Sequence, residues 1–104
     1  MKNVVADKSY AFAIRIVVTC KKLVDNKREF VLSKQLLRSG TEIGALVKEA
    51  EHAQSKADFL NKMKIALKET NETAYWLLLL KDTGYLNLMN MNHYISKQVK
   101  FSAC

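Results

Sequence analysis

The sequence predicts an all-α protein, an antiparallel up-and-down four-helix bundle with a short fourth helix, forming a single domain over residues 1–104. Three observations predict it. Proline is absent and glycine occurs only three times, so the chain has few of the residues that break helices or make tight turns. Apolar side chains recur three and four residues apart along most of the chain, the period of one helix face. No Ser/Gly-rich or low-complexity stretch divides it, and 104 residues with 49% hydrophobic content can close one core but not two.

The first helix is expected to be capped by Asp7 or Ser9. Its apolar stripe is Tyr10, Ala13, Ile14 and Val17, joined by Ile16, Cys20, Leu23 and Val24, and it should stop near "DNKRE". A second helix should begin at about Glu29 or Phe30 and run to about Gln54. Leu36, Gly40, Ile43, Val47 and Ala50, four and three apart, form its seam. Ser55 with Asp58 three residues on reads as a capping box that starts the third helix at once. The seam of that helix is Phe59, Met63, Ala66, Thr70, Thr73, Leu77 and Leu80, and Gly84 supplies the C-terminal stop. Asn87 can cap a short fourth helix carrying Leu88, Met91, Ile95 and Val99.

Almost no loop joins the second and third helices, so they should fold back on each other as a hairpin. A turn centred near Ser55 faces Ile43 with Leu67, Val47 with Met63, and Ala45 with Ala66. The same register brings Arg38 toward Glu72, Glu42 toward Lys68 and Glu49 toward Lys62, opposite charges not used in choosing it. Gly40 and Gly44 interrupt a helical run at a cost of ~1 kcal/mol each relative to alanine. One turn apart, they offer a strip where another helix backbone can approach closely. "AYWLLLL", residues 74–80, is apolar around its whole circumference, which a four-helix monomer cannot enclose; a subunit interface is expected there.

Seventeen Lys and Arg against ten Asp and Glu give a net charge of +7, a bias toward polyanionic partners. No apolar run approaches the ~20 residues that span a bilayer, and "MKNVVADKSY" lacks the apolar region of a signal peptide. No membrane association and a cytoplasmic location are the expectation. Cys20 and Cys104 make no disulfide framework and should be free thiols. His52 and His93 have no second ligand at useful spacing, so no metal and no cofactor is indicated. No nucleophile, base and orienting group recur at a recognisable spacing, and no glycine-rich phosphate loop is present; catalysis is not expected.

Residues 32–86, "LSKQLLRSGTEIGALVKEAEHAQSKADFLNKMKIALKETNETAYWLLLLKDTGYL", resemble the central motif of the bacterial 23S rRNA intervening-sequence protein family, and the similarity extends over about residues 9 to 95. Gln35, Leu37, Arg38, Ser39, Gly40, Ile43, Gly44, Glu49, Ala50, Ser55, Phe59, Lys62, Ala66, Lys68, Glu69, Glu72, Thr73, Tyr75, Trp76 and Leu77 carry it. The resemblance implies an antiparallel four-helix bundle assembling into a ring, a homopentamer in characterised members. Related proteins include the accessory variability proteins of diversity-generating retroelements, basic pentamers that contact a reverse transcriptase and nucleic acid. Glu42 stands where the family usually has a serine, and the tail "NHYISKQVKFSAC" stops where the family continues its fourth helix.

The candidate nucleic-acid contacts, to RNA or DNA, are Lys21, Lys22, Lys27 and Arg28 at the end of the first helix and in the following loop, with Lys34 continuing the same end. The competing reading of a charge run is a solvated face. A ring would repeat the patch around its axis and make a weak site multivalent. Arg38 is expected to form a structural ion pair rather than bind phosphate, and Tyr75 and Trp76 to lie in core or interface. The alternative function is an oligomeric scaffold for a protein partner, with the charge incidental.

Overall fold

The computed structural model describes residues 3–87, and these form three α-helices: α1 (Val4–Lys27), α2 (Leu32–Glu51) and α3 (Lys56–Asp82). The fourth helix expected after Asn87, and Cys104, lie outside the described residues. α2 packs along both α1 and α3.

α1 begins earlier than expected. Asn3, not Asp7 or Ser9, is its cap, and the side-chain oxygen of Asn3 accepts from the Ala6 N–H at 3.0 Å. The added turn brings Val5 and Ala6 against the small core cluster of Leu46, Val47 and Ala66, and Asp7 is left in the first turn, where a carboxylate suits the helix dipole. α2 begins later than expected, at Leu32. Arg28 turns the chain with a left-handed backbone (φ 54°), and the Glu29 carboxylate accepts from the Ser33 N–H at 2.8 Å. That bond satisfies an amide that the cap residue, Val31, has no side chain to reach. α2 also ends at Glu51 rather than Gln54, because Ser55 caps α3, accepting from the Asp58 N–H at 3.0 Å. Asp58 completes the box by accepting at 3.4 Å from Gln54, one residue before the cap. Gly84 (φ 88°) closes α3 as expected, with Tyr85 N–H bonded to the Leu80 carbonyl at 2.8 Å in a Schellman turn.

The main core joins Phe12, Ile16, Cys20 and Leu23 of α1 to Leu36 and Ile43 of α2 and Leu77 and Leu80 of α3. On α1 this agrees with the expected stripe at Ile16, Cys20 and Leu23 and differs from it elsewhere. The buried positions are Ser9, Phe12, Ile16, Thr19, Cys20 and Leu23, whereas Tyr10 is 69% exposed and Ile14 49%. Phe12 and the small hydroxyl residues Ser9 and Thr19 take the inner face in place of Tyr10, Ile14 and Val17, and Ser9 with Ile16 lets α1 approach the glycines of α2. A Cβ on Gly40 would stand 2.8 Å from Ile16 Cγ1 and Cγ2, while one on Gly44 would lie 3.4 Å from the Ser9 carbonyl oxygen.

Val47 and Met63 pack in one cluster with Ala66, as the hairpin register requires. Arg38 pairs with Glu72, and Glu49 with Lys62 at 3.2 Å. The other expected pairings differ. Leu67 is 47% exposed and does not share a layer with the buried Ile43, and Ala45 is exposed. Glu42 makes no ion pair with Lys68, whose charge acts on Glu72 instead. A linear register fixes the height of each residue along the hairpin but not the face it presents, so it misplaces residues lying off the seam.

Candidate nucleic-acid interface

The five candidate basic residues lie on elements that meet at one end of the molecule. Lys21, Lys22 and Lys27 stand on the last turns of α1, Arg28 in the turn after it, and Lys34 in the first turn of α2. All five are exposed, and none belongs to an ion pair among the described residues. The structure divides them. Lys21 and Lys34 flank a groove of about 330 Å³ between α1 and α2. Lys22 and Lys27 line a second cleft, of about 220 Å³, walled on its other side by Tyr85, Leu86 and Asn87. Successive residues on a helix are turned ~100° from each other, which puts Lys21 and Lys22 on different faces.

The turn that carries Arg28 is held rigidly. Besides the bond to Ser33 N–H, the Glu29 carbonyl accepts from the Ser33 hydroxyl at 2.6 Å, and Glu29 itself is buried. Placing Phe30 and Val31 in the turn, outside α2, leaves them 55% and 71% exposed. Sequence reasoning missed them by counting Phe30 as the start of the helix. The signal available was an aromatic residue directly after "DNKRE". Cys20 lies at the base of the groove, and burial pushes its thiol pKa up to about 11, so it stays protonated and donates to the Ser33 carbonyl at 3.3 Å.

Arg38 is committed elsewhere. Its guanidinium pairs with Glu72 and, at 3.3 Å, with Glu69, a carboxylate almost fully buried on α3. The Trp76 indole N–H donates to Glu72 at 3.1 Å. That hydrogen bond, first, and the Arg38 guanidinium hold the Glu72 carboxyl below its ordinary value, against the opposing effect of desolvation. Tyr75 is exposed and meets Trp76 edge-on with ring centroids 5.1 Å apart, while Leu77 and Leu80 enter the core and Leu78 stays 47% exposed. The apolar circumference of residues 74–80 is thus only half used within the described chain. Among the described residues no helix is long and apolar enough to cross a membrane, and no three His, Cys, Asp or Glu side chains gather to hold a metal ion.

The family model described as 23S rRNA-intervening sequence protein matches residues 1–103. A crystal structure of a protein of unknown function from the S23 ribosomal protein family of Bacteroides thetaiotaomicron is similar at 53% identity. The match covers 96% of this chain and 93% of that one with a TM-score of 0.94. No curated protein matches.

Proposed function

The chain belongs to the 23S rRNA-intervening sequence protein family, and from that premise we propose that it is a non-enzymatic, oligomeric, basic nucleic-acid-binding module of the cytoplasm. The observation that carries this reading is the cluster of Lys21, Lys22, Lys27, Arg28 and Lys34, all exposed at one end and without a carboxylate partner among the described residues. A surface whose cations are not neutralised internally is free to displace counterions from phosphates. In this reading a short fourth helix beginning at Asn87 completes the bundle, and the chain assembles as a homopentamer. The exposed Tyr10, Ile14, Tyr75 and Leu78 support assembly, since apolar surface left open on one subunit is what an interface covers. They equally favour the second reading, an oligomeric scaffold for a protein partner.

The test compares the wild type with a variant in which Lys21, Lys22, Lys27 and Arg28 are all glutamine, after light scattering has established that both have the same mass. Affinity for RNA or DNA should fall steeply with salt for the wild type, and the variant's log-log slope should be flatter by about one unit per lost phosphate contact. Unchanged affinity and slope would remove this patch from the interface. Absence of wild-type binding at low salt would favour the scaffold.

A further inference from the structure

The groove between the ends of α1 and α2 has a composition that a solvated charged face does not need. Its walls include Val17, Val24, Leu37 and the ring of Phe30, and its rims carry Lys21 on α1 and Lys34 on α2. At about 330 Å³ it falls at the lower end of ligand clefts, ~300–1,000 Å³. Phe30 is 55% exposed and belongs to neither core cluster. The turn beneath it is fixed by the Glu29 bonds to Ser33, which presents the ring at a set position rather than on a loose loop. One carboxylate, Asp25, also lines the groove, against the two rim lysines, so the balance of charge favours an anion.

We infer that this groove takes one unpaired nucleobase of a single-stranded nucleic acid, stacked on Phe30, with its flanking phosphates at Lys21 and Lys34. The inference rests on the nucleic-acid reading above and narrows it. An apolar slot with an aromatic wall matches the face of a base, and cations on both rims match a chain whose charge continues on either side of that base. A duplex cannot satisfy the slot, because its bases are stacked and their faces covered. Packed helices lie ~8–10 Å apart, which keeps both lysine rims within reach of neighbouring phosphates. Phe30 is here a contact for stacking, and Lys21 and Lys34 the contacts for charge.

The experiment measures binding of a fluorescein-labelled oligouridine strand, alone and annealed to its complement, to the full-length wild type, Phe30→Ala, Phe30→Trp and Val31→Ala, with the mass of each checked by light scattering. Phe30→Ala should lose about 5- to 150-fold in single-strand affinity, the range of a lost base–aromatic stack, with its salt slope and duplex affinity unchanged. Phe30→Trp should retain single-strand binding, and Val31→Ala should behave as wild type. Equal single-strand affinity of Phe30→Ala and wild type, in a protein that still binds salt-dependently, would overturn the stacking role and leave the wider nucleic-acid reading standing. A reduced oligomeric mass for Phe30→Ala would overturn it differently, by showing that a second copy occupies the groove. No binding of either form by the wild type at low salt would remove both readings together.

Discussion

The two long contacts that α2 makes are built differently, although one helix contributes to both. Toward α1 the contact is close: Gly40 receives Ile16, Gly44 lies over the Ser9 backbone, and the Cys20 thiol reaches the Ser33 carbonyl. Toward α3 it is bridged. The Thr73 hydroxyl lies 2.9 Å from Ser39 Oγ and 2.8 Å from the Glu69 carbonyl, and Arg38 spans to Glu69 and Glu72. The first contact draws its specificity from shape, since no side chain larger than hydrogen fits at Gly40. The second draws it from partners, since buried hydroxyls and carboxylates are costly unless each meets its mate.

The largest expected effect tests the shape-based contact. Ile16 is fully buried, so Ile16→Ala should cost ~2–5 kcal/mol. Gly40→Ala should also destabilise, because overpacking against a β-branched side chain costs ~1–3 kcal/mol and exceeds the ~1 kcal/mol gained in helix propensity. In the double variant the two costs should fall short of their sum, as the new methyl occupies space Ile16 vacated. Urea unfolding of the four proteins measures this, and strict additivity would mean that Gly40 and Ile16 are not in contact.

Next comes the bridged contact. Thr73→Val keeps the shape and removes the hydroxyl, so it should cost ~1 kcal/mol in the same assay; no loss would show that Ser39 is satisfied without it. Gly44→Ala separates the two glycines. Its added Cβ meets the Ser9 carbonyl only at ordinary contact distance, so helix propensity should prevail and raise stability by up to ~1 kcal/mol. A loss comparable to that of Gly40→Ala would make the whole strip equally tight.

The smallest effect is electrostatic. The folded-state pKa of Glu72 is held below its ordinary value of 4.5. Its contribution is therefore fully present above that pH and is lost as the solution is acidified through the depressed folded value. Because Arg38 is half exposed, the difference between wild type and Glu72→Gln should be under ~1 kcal/mol at neutral pH and should vanish in acid. A difference that grows on acidification would reverse the assigned direction.

Much of this was legible in the residues. Ser55 with Asp58 marked the start of α3, Gly84 its end, and the charges of Arg38, Glu72, Glu49 and Lys62 located the hairpin, because capping and ion pairing act over a few residues or along a simple antiparallel register. The basic end was legible as well. Its division was not: whether Lys21 belongs with Lys34 or with Lys22 depends on where α2 lies beside α1. Phe30 was hidden for a related reason. Its exposure follows from the turn at Arg28 and the Glu29 bond to Ser33, a cap that no standard motif announces.

The sequence by itself determined that the chain is helical, where α2 turns into α3, and that Gly40 and Gly44 mark a close helix approach, since periodicity, capping and glycine's missing side chain are local properties. Only the tertiary structure decided that Ser9, Phe12 and Thr19 join Ile16, Cys20 and Leu23 on the buried face of α1, in place of Tyr10, Ile14 and Val17. Ser9 and Thr19 are less hydrophobic than Tyr10, Ile14 and Val17, and taken residue by residue transfer free energy would not choose them. Ser9 is buried because it is small, faces Gly44 and bonds its hydroxyl back to the Ala6 carbonyl at 3.0 Å within its own helix. Close packing against α2 and a satisfied hydroxyl are what fit Ser9 inside, a balance that exists only once a second helix is in place.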